Sequence, residues 1–172
     1  MKAPIYGDVF DHHSVVYEFE NGVRVYAFCR TTIRCYDEDS SIVLGSKGKS
    51  SIKSCRIWGE NNWRWQGQCD PYQVEHNRLF SGIRSGNPVN NGDYMTRSTL
   101  MTIMGQLSCY TGKEVTWDKI SHSDFYYPPH PEECRDDMEA PTTISSDDSY
   151  PTPVPGMTAF NLERAKATRS NG

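Results

Sequence analysis

Asn21-Gly22 stands between two runs of β-branched and aromatic residues, Ser14-Val15-Val16-Tyr17-Glu18-Phe19 and Val23-Arg24-Val25-Tyr26-Ala27-Phe28-Cys29-Arg30. No other local feature constrains the fold as strongly. A type I′ turn needs φ > 0 at both central positions, and Asn-Gly is the pair that adopts this most readily. A two-residue loop there sets Glu20 opposite Val23 and His13 opposite Arg30. Side chains alternate along a strand, so one face then carries His13, Val15, Tyr17, Phe19, Arg24, Tyr26, Phe28 and Arg30. The other carries Ser14, Val16, Glu18, Val25, Ala27 and Cys29. Both faces are substantially apolar, which predicts a hairpin inside a wide sheet covered on both sides.

Residues 40–46 and 50–58 read as two further strands joined by the turn Gly45-Ser46-Lys47-Gly48. Trp63-Arg64-Trp65 reads as a short fifth, closed by Gly59 and Gly67. Short connections favour antiparallel order. The period then changes. Asp70-Pro71-Tyr72-Gln73 places an acid at the N-cap, proline at the first helical position and Gln three residues after the cap. Tyr72, His76, Leu79, Phe80 and Ile83 recur at helical spacing, and Gly86 is the stop. A second helix spans about 93–110, with Leu100, Ile103, Met104 and Leu107 as its buried stripe and Gly112 after it. Val115-Thr116-Trp117 suits a further short strand, and 117–121 a helical turn. The expected fold is α+β: an open, mainly antiparallel sheet with two helices packed on one face.

Beyond Tyr127 the composition shifts. Of the 10 prolines, Pro128, Pro129, Pro131, Pro141, Pro151, Pro153 and Pro155 lie there, beside Glu132, Glu133, Asp136, Asp137, Glu139, Asp147 and Asp148. Such a segment buries too little apolar area to offset its ordering entropy. Residues 1–127 are therefore read as the folded domain and 128–172 as a Pro-rich acidic tail, draped over it in extended form or disordered.

Net charge is −4 and no basic stripe occurs, which argues against nucleic acid as a partner. Mean hydropathy is −0.70, and no apolar run approaches the ~20 residues of a membrane span. Cys29, Cys35, Cys55, Cys69, Cys109 and Cys134 form no CxxC pair and no cluster with histidine, so no metal site is expected. With no secretory signal in the opening residues, the expectation is reduced thiols in a cytoplasmic chain.

The sequence has no Gly-x-Gly-x-x-Gly and no Gly-x-Ser-x-Gly. Gly45-Ser46-Lys47-Gly48-Lys49-Ser50 lacks the first glycine of a phosphate-cradling loop and lies between strands. No catalytic, cofactor or metal residue is assigned. The most suggestive cluster is Asp11-His12-His13 with Arg30. His12, His13 and Arg30 are the candidate substrate-binding residues, contacting hydroxyl groups at a cleft wall. The competing reading is a strand-start histidine satisfied by the backbone or by Asp11. Trp63 and Trp65 share a strand face and suit either sugar stacking or packing. His76 reads as a packed, hydrogen-bonded residue, and Glu75 as solvent-facing.

The order of the pieces resembles one branch of the Gfo/Idh/MocA oxidoreductase family. Phe10-Asp11-His12-His13-Ser14-Val15-Val16-Tyr17-Glu18, Asn21-Gly22-Val23-Arg24 and Phe28-Cys29-Arg30 resemble the opening strands of its C-terminal domain. The Gly45-to-Gly48 turn, Pro71-Tyr72-Gln73-Val74-Glu75-His76, Ile83-Arg84-Ser85-Gly86 and Pro88-Val89-Asn90-Asn91-Gly92 resemble later pieces. So do Ser98-Thr99-Leu100-Met101 through Gly105, and Tyr110-Thr111-Gly112-Lys113-Glu114-Val115-Thr116-Trp117. The match runs in register over about 7–127. The resemblance implies a sheet domain that walls a substrate cleft and forms a subunit interface, as a homo-oligomer, in an NAD- or NADP-dependent oxidoreductase acting on a sugar or polyol. It also implies a separate Rossmann half, since this chain has neither the glycine loop nor the Glu-Lys-Pro of that family. On this reading the chain alone lacks activity. A non-catalytic oligomerisation or sugar-binding module is the alternative.

Overall fold

Alternating β-branched and aromatic residues form β1 (His12–Glu18) and β2 (Arg24–Arg30), an antiparallel pair. The loop holds three residues, not two. Phe19 N–H donates to the Val23 carbonyl at 2.9 Å, and Gly22 N–H returns to the Phe19 carbonyl at 2.8 Å, with Gly22 at φ 77°. A turn followed by a left-handed glycine is the usual three-residue solution, and it needs positive φ at one position only. The register therefore differs by one residue from the expected one. His12 faces Arg30, His13 faces Cys29, and Glu18 faces Arg24. Slipping by one residue exchanges faces. His13, Val15, Tyr17, Ala27 and Cys29 share one face, and His12, Ser14, Val16, Glu18, Arg24, Tyr26, Phe28 and Arg30 share the other.

The computed structural model describes residues 7–67, 70–127, 129–139, 146 and 149–162. Among these are four more strands: β3 (Ile42–Gly45), β4 (Gly48–Ser51), β5 (Arg56–Gly59) and β6 (Trp63–Arg64), paired in that order in an antiparallel sheet. The stretch 50–58, read as one strand, is two strands joined by a turn at 52–55. There Cys55 N–H donates to the Ile52 carbonyl at 3.0 Å, and Cys55 itself takes φ 47°. Gly48 and Gly59 are cross-strand partners at φ 156° and 146°. A Cβ on Gly48 would fall onto the Trp58 carbonyl oxygen, and one on Gly59 onto that of Lys47. Only glycine fits either position.

The α+β class and antiparallel order stand. The strands are divided between two sheets rather than joined in one, and the chain forms two compact units, the first combining Met1–Thr32 with Gly92–Gly172 and the second spanning Ile33–Asn91.

The second unit contains α1 (Pro71–Arg84). Asp70 caps it, its carboxylate accepting from Tyr72 N–H at 3.0 Å and Gln73 N–H at 3.4 Å. Gly86 at φ 70° follows its end. The apolar stripe anticipated for α1 exists, but Tyr72, Leu79, Phe80 and Ile83 are all exposed, and α1 packs against no strand of its unit. His76 is hydrogen-bonded to the Tyr72 carbonyl at 2.7 Å, yet exposed.

In the first unit α2 (Gly92–Thr111) lies against β1. Its buried stripe includes Leu107, fully inaccessible, with Leu100, Ile103 and Met104 packed around it. Thr116 caps α3 (Trp117–Ser121), accepting from Lys119 N–H at 3.3 Å, so 115–117 is not a strand. Ile120 of α3 joins Leu107, and the third member of that core is Leu162, 8% exposed. The described part of the tail is thus draped on the domain at 149–162. Gly156 N–H donates to the Thr111 carbonyl at 2.8 Å, and Phe160 stacks edge-on to Phe125 at 5.3 Å. Pro128, Pro141, Asp147 and Asp148 lie outside the described residues.

Candidate functional site

The closeness of α2 to the hairpin has a specific cause. Gly105 faces β1, and the Tyr17 ring occupies the space a Cβ would take, with its hydroxyl donating to the Met101 carbonyl at 3.1 Å. Burial raises the Tyr17 pKa, the nearby Cys109 and Cys29 thiols adding to it. That contact fixes the inner face of β1 against α2 and leaves the outer face open.

The outer face carries the first part of the candidate site. Asp11 and Thr31 close the open end of the hairpin, Thr31 N–H donating to the Asp11 carbonyl at 2.8 Å. His12 Nδ1 lies 2.7 Å from the Asp11 carboxylate, and this hydrogen bond holds the Asp11 carboxyl below its usual range. Arg30 is the cross-strand partner of His12. Running from this polar end toward the turn, Phe28, Tyr26 and Val16 are 71%, 59% and 54% exposed. The Glu18–Arg24 ion pair, at 3.2 Å, ends the stripe. Covering on both sides was expected for this hairpin. It holds for the inner face only, since one helix of this unit packs on it.

His13 departs from the expected grouping. The three-residue loop turns it inward, away from Arg30, where its ring lies 6.0 Å from both Phe10 and Tyr110. Its Nδ1 is 3.6 Å from Cys29 Sγ. Its Nε2 is the side-chain polar atom that, among the described residues, is buried with no hydrogen-bond partner. Such an orphan costs about 1–3 kcal/mol. His12 and His13 both border a hollow of about 430 Å³, with Ser108, Lys113 and Glu114 on its far side; Arg30 does not. The sequence cluster is therefore split, with His12 and Arg30 together on one face and His13 on the other.

Ser108, Lys113 and Glu114 were not singled out from sequence. The signal was there in the helix stop at Gly112, which at φ 67° folds the next residues back beside the helix end, where Ser108 Oγ donates to the Lys113 carbonyl at 2.8 Å. A larger hollow of about 730 Å³, lined by Tyr17, Phe19, Tyr94, Met101, Met104 and Trp117, lies at the turn end of the hairpin and was also not anticipated.

In the second unit Trp63 and Trp65 lie 6.5 Å apart with planes inclined by 45°, and the Trp65 ring rests over Gly67. The two rings do not make one flat platform.

A pyrophosphate seats on free N–H groups at a helix N-terminus, where negative charge is welcome. Here Asp70 already takes two such groups of α1, and Asp93 lies in the first turn of α2. Among the described residues no group of three or more His, Cys, Asp or Glu side chains is placed to hold a metal ion. No helix among them is long and apolar enough to cross a membrane. Cys29, Cys35, Cys55, Cys109 and Cys134 are free thiols, and Cys69 lies outside the described residues.

No protein-family model, no curated protein and no solved structure matches the chain.

Proposed function

We propose that this chain is the sheet-forming part of an NAD- or NADP-dependent oxidoreductase acting on a sugar or polyol, where it walls the substrate cleft and offers a face for subunit association. The observation that carries the reading is the open face of the hairpin: Phe28, Tyr26 and Val16 exposed in a line and ended by His12 and Arg30. Aromatic rings cover the C–H faces of a sugar, while imidazole and guanidinium groups hydrogen-bond its hydroxyls. An apolar stripe of this kind also calls for a covering partner. The ordered sequence resemblance over about 7–127 supports the same reading and supplies the reaction class.

In this role His12, braced by Asp11, and Arg30 orient hydroxyl groups and perform no bond-breaking step. The nicotinamide supplies hydride chemistry when bound, and its site belongs to a nucleotide-binding domain outside these 172 residues. A cytoplasmic setting accompanies the proposal.

Reading the coding DNA upstream of Met1 tests it. An in-frame segment with a Gly-x-Gly-x-x-Gly loop and a Glu-Lys-Pro is the expected result. A stop codon directly upstream, with no dinucleotide-binding gene adjoining, overturns it. The same exposed face favours a second reading, a non-catalytic oligomerisation or sugar-binding module. Quenching of tryptophan emission by monosaccharides in the isolated chain, or a stable dimer indifferent to ligands, would favour this reading over the first.

A further inference from the structure

The sheet of the second unit gathers cations on one of its two faces. Register places Ser51 opposite Arg56, Arg56 opposite Arg64, and Lys49 opposite Trp58. Alternation then puts Lys49, Arg56, Trp58 and Arg64 on a single face, with Ile42 and Leu44 beside them across β4. Lys49 Nζ lies 5.5 Å from the Trp58 ring centroid and Arg56 Cζ lies 4.8 Å from it. None of the strand residues placed on this face by the register is acidic. The ion pairs of the unit, Lys47 with Glu60 and Lys53 with Asp39, engage turn residues, and none of the described ion pairs reaches Lys49, Arg56 or Arg64.

Two arginines directly opposite each other on neighbouring strands repel, and sheets usually place an acid in one of the positions. Retaining both costs stability unless an anion lies between them. We propose that this face binds the phosphoryl group of a small phosphate ester.

The donor set selects phosphate over carboxylate. One guanidinium fork already satisfies a carboxylate, whereas two forks and an ammonium offer more donors than a carboxylate can accept. A phosphate monoester presents three terminal oxygens and close to two negative charges. Trp58 holds Lys49 and Arg56 against its ring, so less side-chain entropy is lost when the anion arrives. Ile42 and Leu44, 53% and 78% exposed, offer apolar cover for the carbon part of the ester. The site stands independently of the oxidoreductase reading, since no part of it uses the hairpin.

Calorimetric titration of the full chain with inorganic phosphate at fixed ionic strength tests the proposal. Saturable binding is expected, weakened about tenfold by Arg64→Gln, the value of one charged hydrogen bond. Arg56→Lys is expected to weaken it as well, although the charge is kept, and Arg78→Gln on α1 to leave it unchanged. All three positions are exposed, and a circular dichroism spectrum identical to the parent's verifies folding. Absence of saturable heat at millimolar phosphate overturns the proposal, as does undiminished affinity in Arg64→Gln. Displacement of phosphate by a glutamate-rich peptide that binds more tightly also overturns it, and would assign the face to an acidic protein segment.

Discussion

Replacing Gly105 by alanine sets opposed free energies against each other at one atom. Alanine in a helix interior is favoured over glycine by about 1 kcal/mol. At this position, however, the new methyl group meets the Tyr17 hydroxyl, and the ring must move. Moving it breaks the Tyr17 bond to the Met101 carbonyl, worth about 1 kcal/mol. It also overpacks the contact between β1 and α2, at about 1–3 kcal/mol. The net expectation is destabilisation by about 2 kcal/mol. Tyr17→Phe alone is expected to cost about 1 kcal/mol for the lost hydrogen bond. In the Tyr17→Phe background the clashing oxygen is gone, and the next neighbours of the new methyl group are the ring carbon Cζ at 3.0 Å and Val15 Cγ1 at 3.4 Å. Small shifts accommodate both, so Gly105→Ala should then be close to neutral. A double-mutant cycle by urea denaturation, followed by circular dichroism, should return a coupling of about 2 kcal/mol. A stabilised Gly105→Ala single variant, or an equal cost in both backgrounds, would show that this contact does not set the spacing of helix and hairpin.

Leu162→Ala should destabilise the first unit by about 2–3 kcal/mol, because it removes a buried member of a three-residue core; an unchanged urea midpoint would mean that the tail segment does not complete the core. Burial, with a contribution from Tyr110, pushes the Tyr127 pKa from 10.0 up to about 12. Its neutral form is favoured by folding, so this stabilisation is fully present below pH ~10 and falls away as pH rises toward about 12. Absorbance titration of wild type and Tyr127→Phe should isolate one late-ionising tyrosine. Under the proposed oxidoreductase reading, His12→Ala and Arg30→Ala should each lower kcat/KM for a polyol at least about tenfold, the value of a charged hydrogen bond; unchanged kinetics in both would remove the pair from the proposed cleft.

What the sequence reveals here follows how local the cause is. The cap at Asp70, the stops at Gly86 and Gly112, and the turn of helix after Thr116 depend on a few neighbouring residues, and each lies where expected. The hairpin was also legible, but not its register. Asn-Gly serves both a two-residue and a three-residue loop, and the choice rests on hydrogen bonds of Phe19 that no propensity reports. The split of 50–58 escaped because Ser51, Ile52 and Cys55 suit a strand, while the turn depends on a left-handed Cys55 that residue type disfavours. Burial was the least legible quantity. The stripe of α1 has the helical period of a core face, yet period alone does not supply the surface that would cover it. For the candidate site, residue types marked His12, His13 and Arg30, and the register alone decided which of them meet.

That register gives the Glu20-Asn21-Gly22 loop an unusual leverage over heredity. Closing it instead as a two-residue loop at Asn21-Gly22, at unchanged chain length, would set Glu20 rather than Phe19 opposite Val23 and slide one strand past the other by one position. Every side chain of one strand would then change sides relative to its former partner, bringing His13 level with Arg30 while Tyr17 and Val15 compete with Tyr26 and Phe28 for the helix. No residue outside the loop would have altered. A loop substitution that favours one closure over the other could thus exchange the lining of a recognition surface, with most intermediate combinations never sampled, and loop closure should be read as a specificity trait in its own right.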